Sequence, residues 1–118
     1  MPVLQAELLN QGFYGMPQQL RNLQLLIPVI RRVNVGTLAA VAANTTAEQV
    51  VPTAVPGLQV GDFVAITKPT AQAGLGIVGA RVSAANTLAI TYVNATAGSL
   101  TPTAAEIYLV LHASAVAS

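Results

Sequence analysis

Gly61-Asp62-Phe63-Val64-Ala65-Ile66, and after a loop Gly76-Ile77-Val78-Gly79-Ala80-Arg81-Val82-Ser83-Ala84-Ala85-Asn86-Thr87-Leu88-Ala89-Ile90-Thr91-Tyr92-Val93-Asn94, is the part of the chain that decides the fold. It reads as a strand, a loop and a β-hairpin. Leu88, Ile90 and Tyr92 alternate with Ala89, Thr91 and Val93, the period of a strand that turns one face to a core. Ala84-Ala85-Asn86 supplies the turn. The residues are small, β-branched or apolar, and almost none can move a proton or attack a carbonyl.

The same texture extends outward over residues 33–113. Six strands are expected, at Val33–Val41, Glu48–Thr53, Asp62–Lys68, Gly76–Ser83, Thr87–Asn94 and Glu106–Ala113. In the last, Ile107, Leu109 and Leu111 alternate with Tyr108, Val110 and His112. Ala43-Asn44-Thr45-Thr46, Pro56-Gly57, Gly61-Asp62 and Gly98-Ser99 mark the connections. Thr, Val and Gly throughout oppose a helical alternative. Many short strands at regular spacing predict an all-β, antiparallel β-sandwich, with a jelly roll among the candidates.

Residues 1–32 differ. They are rich in Leu and Gln and hold Phe13, Tyr14 and three of the five basic residues, Arg21, Arg31 and Arg32. Val3–Leu9 could form one or two helical turns, and Gln18–Leu26 a short helix ended by Pro28. Gly12, Gly15 and Pro17 prevent a continuous one. The division expected is an extended or partly helical N-terminal arm over 1–32 and a β-sandwich domain over 33–118. Such an arm gains order by lying against something. The candidate partner interface is Phe13, Tyr14, Leu20, Arg21, Leu23, Leu25, Leu26, Ile27, Arg31 and Arg32.

At 118 residues the chain has the size of one domain. Only 8% of its residues are charged, against about 25% in an average globular protein. So few charges protect poorly against association, so a homo-oligomer, dimer or trimer, or life within a larger assembly is expected. The +1 net charge shows no basic stripe for nucleic acid. No apolar run is long enough for a helix to span a bilayer, and Arg31 and Arg32 follow the longest run where a signal peptide would carry them in front. The expectation is a soluble chain made in the cytoplasm. With no cysteine, disulfides and thiolate metal sites are excluded.

The residues that could carry chemistry are scattered. Gly74-Leu75-Gly76-Ile77-Val78-Gly79 matches GxGxxG, but a hairpin follows where a dinucleotide site needs a helix. His112 is the only histidine, which leaves no triad partner and no multi-histidine metal site. It reads as a surface or subunit-contact residue. Glu7, Glu48, Asp62 and Glu106 are too dispersed for a paired-carboxylate mechanism. Asp62, following Gly61, reads as a turn-closing residue that accepts backbone N–H groups. Asn44-Thr45-Thr46 and Asn94-Ala95-Thr96 fit the glycosylation sequon by chance. No enzyme, cofactor or metal site is expected.

Val55-Pro56-Gly57-Leu58-Gln59-Val60-Gly61-Asp62-Phe63-Val64, the hairpin from Gly74 to Ile90, Tyr92-Val93-Asn94-Ala95-Thr96 and Leu100-Thr101-Pro102 together resemble small virion proteins of tailed double-stranded DNA bacteriophages. The likeness covers residues 48–111, and is to head decoration or cement proteins; such β-modules also recur in tail and fibre components. It implies a jelly-roll-like sandwich that oligomerises, binds the major capsid protein on the capsid surface of the virion and has no catalytic motif.

Overall fold

The structure, a computed structural model, describes residues 28–114. Among them there is no helix, and none is therefore long and apolar enough to cross a membrane. Six strands form two antiparallel sheets: β1 (Val29–Asn34), β2 (Thr45–Val50), β3 (Phe63–Thr67), β4 (Leu75–Ala84), β5 (Thr87–Asn94) and β6 (Ile107–Ala113). One sheet has the order β1-β6-β3 and the other β2-β5-β4. The pairings are nested: β1 with β6 outside, β2 with β5 inside, and β3 beside β4.

The two sheets share one apolar core. Val33, Tyr108 and Val110 of the first sheet and Val82, Leu88, Ile90 and Tyr92 of the second belong to the same buried cluster, a β-sandwich-like arrangement. Loop residues Val35, Leu38, Val41, Val51, Val55 and Leu58 complete it. Each fully buried aliphatic side chain contributes roughly 1.5–3 kcal/mol, so the connections carry part of the stability.

The hairpin β4–β5 lies where the sequence puts it. Asn86 adopts φ 61°, a left-handed conformation that Asn tolerates better than most residues. Its backbone N–H donates to Leu58 O at 2.8 Å and its side-chain Oδ1 accepts from Gly57 N at 2.9 Å. The hairpin tip therefore grips the 55–58 turn. Val78 is extra in β4 between Ile77 and Gly79, a bulge that turns it outward.

The first strand departs from expectation. It occupies Val29–Asn34, not Val33–Val41, so it begins within the stretch assigned to the arm. Asn34 Oδ1 accepts the Gly36 N–H at 2.9 Å, and Gly36 takes φ 64°. That turn breaks the ladder, and Leu38 and Val41 reach the core from a loop. Similarly β2 starts at Thr45, after Asn44 at φ 54°, and stops before Pro52, which has no N–H for a ladder.

In β6 the expected alternation is present, and its two sides differ in burial. Tyr108, Val110 and His112 are buried, whereas Leu109 faces out. In β5, Leu88, Ile90 and Tyr92 are buried as their alternation predicts, but Ala89 is fully buried too. It lies opposite Val50 on one side and Arg81 on the other, and a methyl group is short enough to be covered by such neighbours.

Candidate functional site

The outward side of β6 gives the molecule its most distinctive surface. Directly opposed residues of an antiparallel pair share a face. The register sets Ile30 opposite Leu111 and Arg32 opposite Leu109, and on the other side Phe63 opposite Ala113 and Ala65 opposite Leu111. The outward face of the β1-β6-β3 sheet is thus largely aliphatic and aromatic. Ile30 is 68% exposed, Phe63 60%, and Ile107 and Leu109 45% each. A shallow hollow of about 220 Å³ runs between Ile30, Ala65, Thr67, Leu109 and Leu111. Scattered exposed apolar residues are ordinary; a contiguous sheet face of them marks an interaction surface.

Arg32 sits on this face at its β1 edge and is exposed. Arg31 points to the opposite side of the strand. Its Nε donates to His112 Nε2 at 3.0 Å, so that imidazole nitrogen is an acceptor and the ring proton resides on Nδ1. Nδ1 stands 4.0 Å from Asp62 Oδ2. Asp62 is engaged elsewhere: Oδ2 accepts Gln59 N at 3.0 Å and Oδ1 accepts Ser114 Oγ at 2.8 Å. This confirms the turn-closing reading of Asp62 and corrects that of His112, which is a buried residue. The Ser114 hydroxyl donates to the Asp62 carboxylate and not to the imidazole. Beyond Arg31, a second hollow of about 300 Å³ lies between β1 and the 53–56 loop, with Arg31 and Arg32 on its wall.

The other charges are satisfied locally. Arg81 makes two hydrogen bonds to Glu48, at 2.7 and 2.8 Å, across the exposed face of the second sheet. That pairing holds the Glu48 carboxyl below its ordinary range. Lys68 Nζ lies 2.8 Å from Glu106 Oε1 but outside hydrogen-bond alignment, and donates to Thr70 O and Oγ1. Thr70 Oγ1 in turn donates to Glu106 Oε2 at 2.6 Å. Burial pushes the Glu106 carboxyl up, yet Lys68 and Thr70 together bring it below the usual value. Among the described residues, no three His, Cys, Asp or Glu side chains gather where they could hold a metal ion.

Asn94, in one of the sequons, is completely buried. Its Nδ2 donates to Val41 O and Gly98 O, and its Oδ1 accepts from Thr96 N and Oγ1. It is a structural clamp with no nitrogen open to a sugar. Gly74, the first glycine of the GxGxxG string, ends a turn at φ 81° and leads straight into β4 with no helix following.

Of the candidate interface residues, Phe13, Tyr14, Leu20, Arg21, Leu23, Leu25, Leu26 and Ile27 lie outside the described residues. Arg31 and Arg32 are both on β1 but on opposite faces. Sequence reasoning missed Ile30, Phe63, Ile107 and Leu109. Their signal was present as the Ile107-x-Leu109-x-Leu111 alternation, but both faces of β6 are apolar, so alternation alone does not say which side is buried. No known protein family, curated protein or solved structure matches the chain.

Proposed function

We propose that this chain is a non-enzymatic structural protein that acts by docking the outward face of its β1-β6-β3 sheet on a larger assembly. The observation that carries this reading is the contiguous exposed set Ile30, Phe63, Ile107 and Leu109. Its resemblance to head decoration proteins of tailed phages supports placing it on the capsid surface, bridging copies of the major capsid protein. Nested pairing of β1 with β6 and β2 with β5 supports a jelly-roll-like winding, a hairpin rolled so that its arms alternate between two sheets. The residues before β1, 1–27, act as an arm across a neighbouring subunit or the capsid, and copies associate as a dimer or trimer, the trimer matching a local threefold axis.

The mechanism is thermodynamic linkage. A protein that binds only the assembled shell lowers the free energy of that state, and many copies acting together multiply the effect. A second reading, a tail or fibre module, follows from the same resemblance.

Quantifying the chain in purified particles tests both. Copies spread over the head support the decoration role, a few at one vertex the tail role, and absence from particles overturns both. Removing residues 1–27 leaves β1 intact and tests the arm. Loss of oligomer and particle binding, with an unchanged melting temperature, is the expected result. Loss of folding would make the arm part of the core.

A further inference from the structure

We propose that the outward face of the β2-β5-β4 sheet is the contact through which two copies of this chain pair about a two-fold axis. This rests on the reading that copies associate; it names the surface and takes the dimer of the two forms. Directly opposed residues share a face, so the register sets Glu48, Thr91 and Gly79 in one row and Val50, Ala89 and Arg81 in the next. Glu48 and Arg81 are the only charged residues on the three strands, and they stand at opposite corners of this block. Val50, which is 56% exposed, and Gly79 hold the other two corners.

A two-fold contact uses the same patch of both copies, so the patch must complement itself. One cation and one anion at opposite corners do so. An axis lying between two such faces, across the Arg81–Glu48 diagonal, brings each guanidinium over the other copy's carboxylate. The bond within one chain leaves capacity for this. Arg81 gives Nε and one N–H of Nη2 to Glu48, which leaves Nη1 and the second N–H of Nη2 to donate, and each carboxylate oxygen can accept again. Two pairs then close a ring of alternating charge, a network where each chain alone has an isolated exposed pair.

Gly79 supplies an independent observation. Although it follows the bulge at Val78, its φ lies outside the left-handed region, and an added Cβ would meet nothing within 4 Å among the described residues. Neither conformation nor packing within the described residues calls for a glycine there, yet glycine weakens a strand interior. A bare position of this kind suits the close approach of another backbone. The proposed axis runs along the Val50–Gly79 diagonal, so each of these residues meets its own counterpart. β2 and β5 pair over six residues, and three strands of that length, about 4.8 Å apart, present a face of roughly 300 Å². A standard interface takes ~800 Å² per partner, so this contact orients the pair and the arm supplies further area.

The test is sedimentation of the full chain with its charges reversed one at a time. Arg81→Glu and Glu48→Arg should each weaken self-association at least tenfold, because like charges then face each other across the axis. An equimolar mixture of the two variants should pair again, one of each, since an acidic face now meets a basic one. Loss of a bond that matters only within the chain would not be repaired by a second chain. Gly79→Gln, which fills the bare position, should weaken association with an unchanged melting temperature, and decides the matter if the charge reversals harm folding. Association of all three variants at native strength would overturn the proposal, as would a mixture that stays apart or a closed trimer, which a two-fold contact cannot build. So would reversals that abolish binding to particles while leaving the oligomer intact, because the face would then belong to the capsid. A native chain that stays monomeric removes the association and this contact with it. An oligomer indifferent to Arg81, Glu48 and Gly79 removes the contact alone.

Discussion

Tyr92 and Tyr108 meet hydroxyl to hydroxyl at 2.8 Å in the interior, joining the central strands of the two sheets. Each is fully buried, and each is the hydrogen-bond partner that allows the other to be so. The pair explains why β6 turns Tyr108 inward and leaves Leu109 outside. A phenol reaches across the core and finds a partner there, whereas a leucine in its place would leave the Tyr92 hydroxyl unpaired.

Removing one hydroxyl strands the other. Tyr92→Phe and Tyr108→Phe should each destabilise the fold by about 1–3 kcal/mol. The double variant should cost less than the sum of the two, since replacing both partners by apolar groups removes the unpaired polar atom. Urea denaturation of the four proteins in the cycle measures this, and simple additivity would show that the bond contributes nothing.

Alkaline pH should act on the same pair. Burial, above all, pushes the Tyr92 phenol well above its ordinary range, with the Tyr108 bond adding to it, and burial raises Tyr108 as well. The unfolded chain releases these protons near pH 10 while the folded one retains them, so the native state binds more protons and stability falls as pH rises above that value. Melting temperatures should be level from about pH 7 to about pH 9 and decline above it. The double Phe variant should show a shallower decline.

At the acid end Glu106 is the group to watch. Its folded carboxyl titrates below the ordinary value, so its contribution is present above the unfolded pKa and is lost as pH falls through the lower folded one. Lys68→Met should flatten that acid loss and lower the melting temperature at pH 7. Arg81→Met, which breaks a pair on the exposed face, should lower it less, because solvent screens surface pairs. A larger effect at Arg81 would contradict this order.

Gly74 tests the loop beneath the second sheet. It combines φ 81° with a Cβ position that collides with the Thr96 methyl, itself held by the Asn94 clamp. Gly74→Ala should cost about 1–3 kcal/mol, whereas Gly98→Ala, where a Cβ meets nothing, should be nearly silent. Thermal denaturation distinguishes the two.

Much of the strand pattern was legible in the sequence, and where it was not the causes are physical. Thr87–Asn94 is right to the residue because its turn chemistry and alternation agree. Val33–Val41 misled because Gly36 and the Asn34 side chain form a turn inside an apolar run, and Leu38 and Val41 reach the core without a ladder. The candidate site was less legible. Whether Leu109 or Tyr108 faces inward depends on Tyr92, sixteen residues from Tyr108 and in the other sheet. Arg31 and Arg32 read as one basic cluster, but that they diverge, one to His112 and one to the face, follows from a strand where the end of an N-terminal arm was expected.

The outermost pairing also sets an order of events in time. Val29 meets His112 and Asn34 meets Ile107, so β1 has no neighbour in its sheet until β6 has been synthesised. The hairpin β4–β5 closes through two residues and can form early, and β2 can then add to it. The first sheet comes last, at the expense of the longest loop closures in the fold. On the ribosome Ile30 and Phe63, on the strands that flank β6, therefore wait without their sheet. These are the segments a chaperone would meet, and the ones that would pair with another chain if the last strand were delayed.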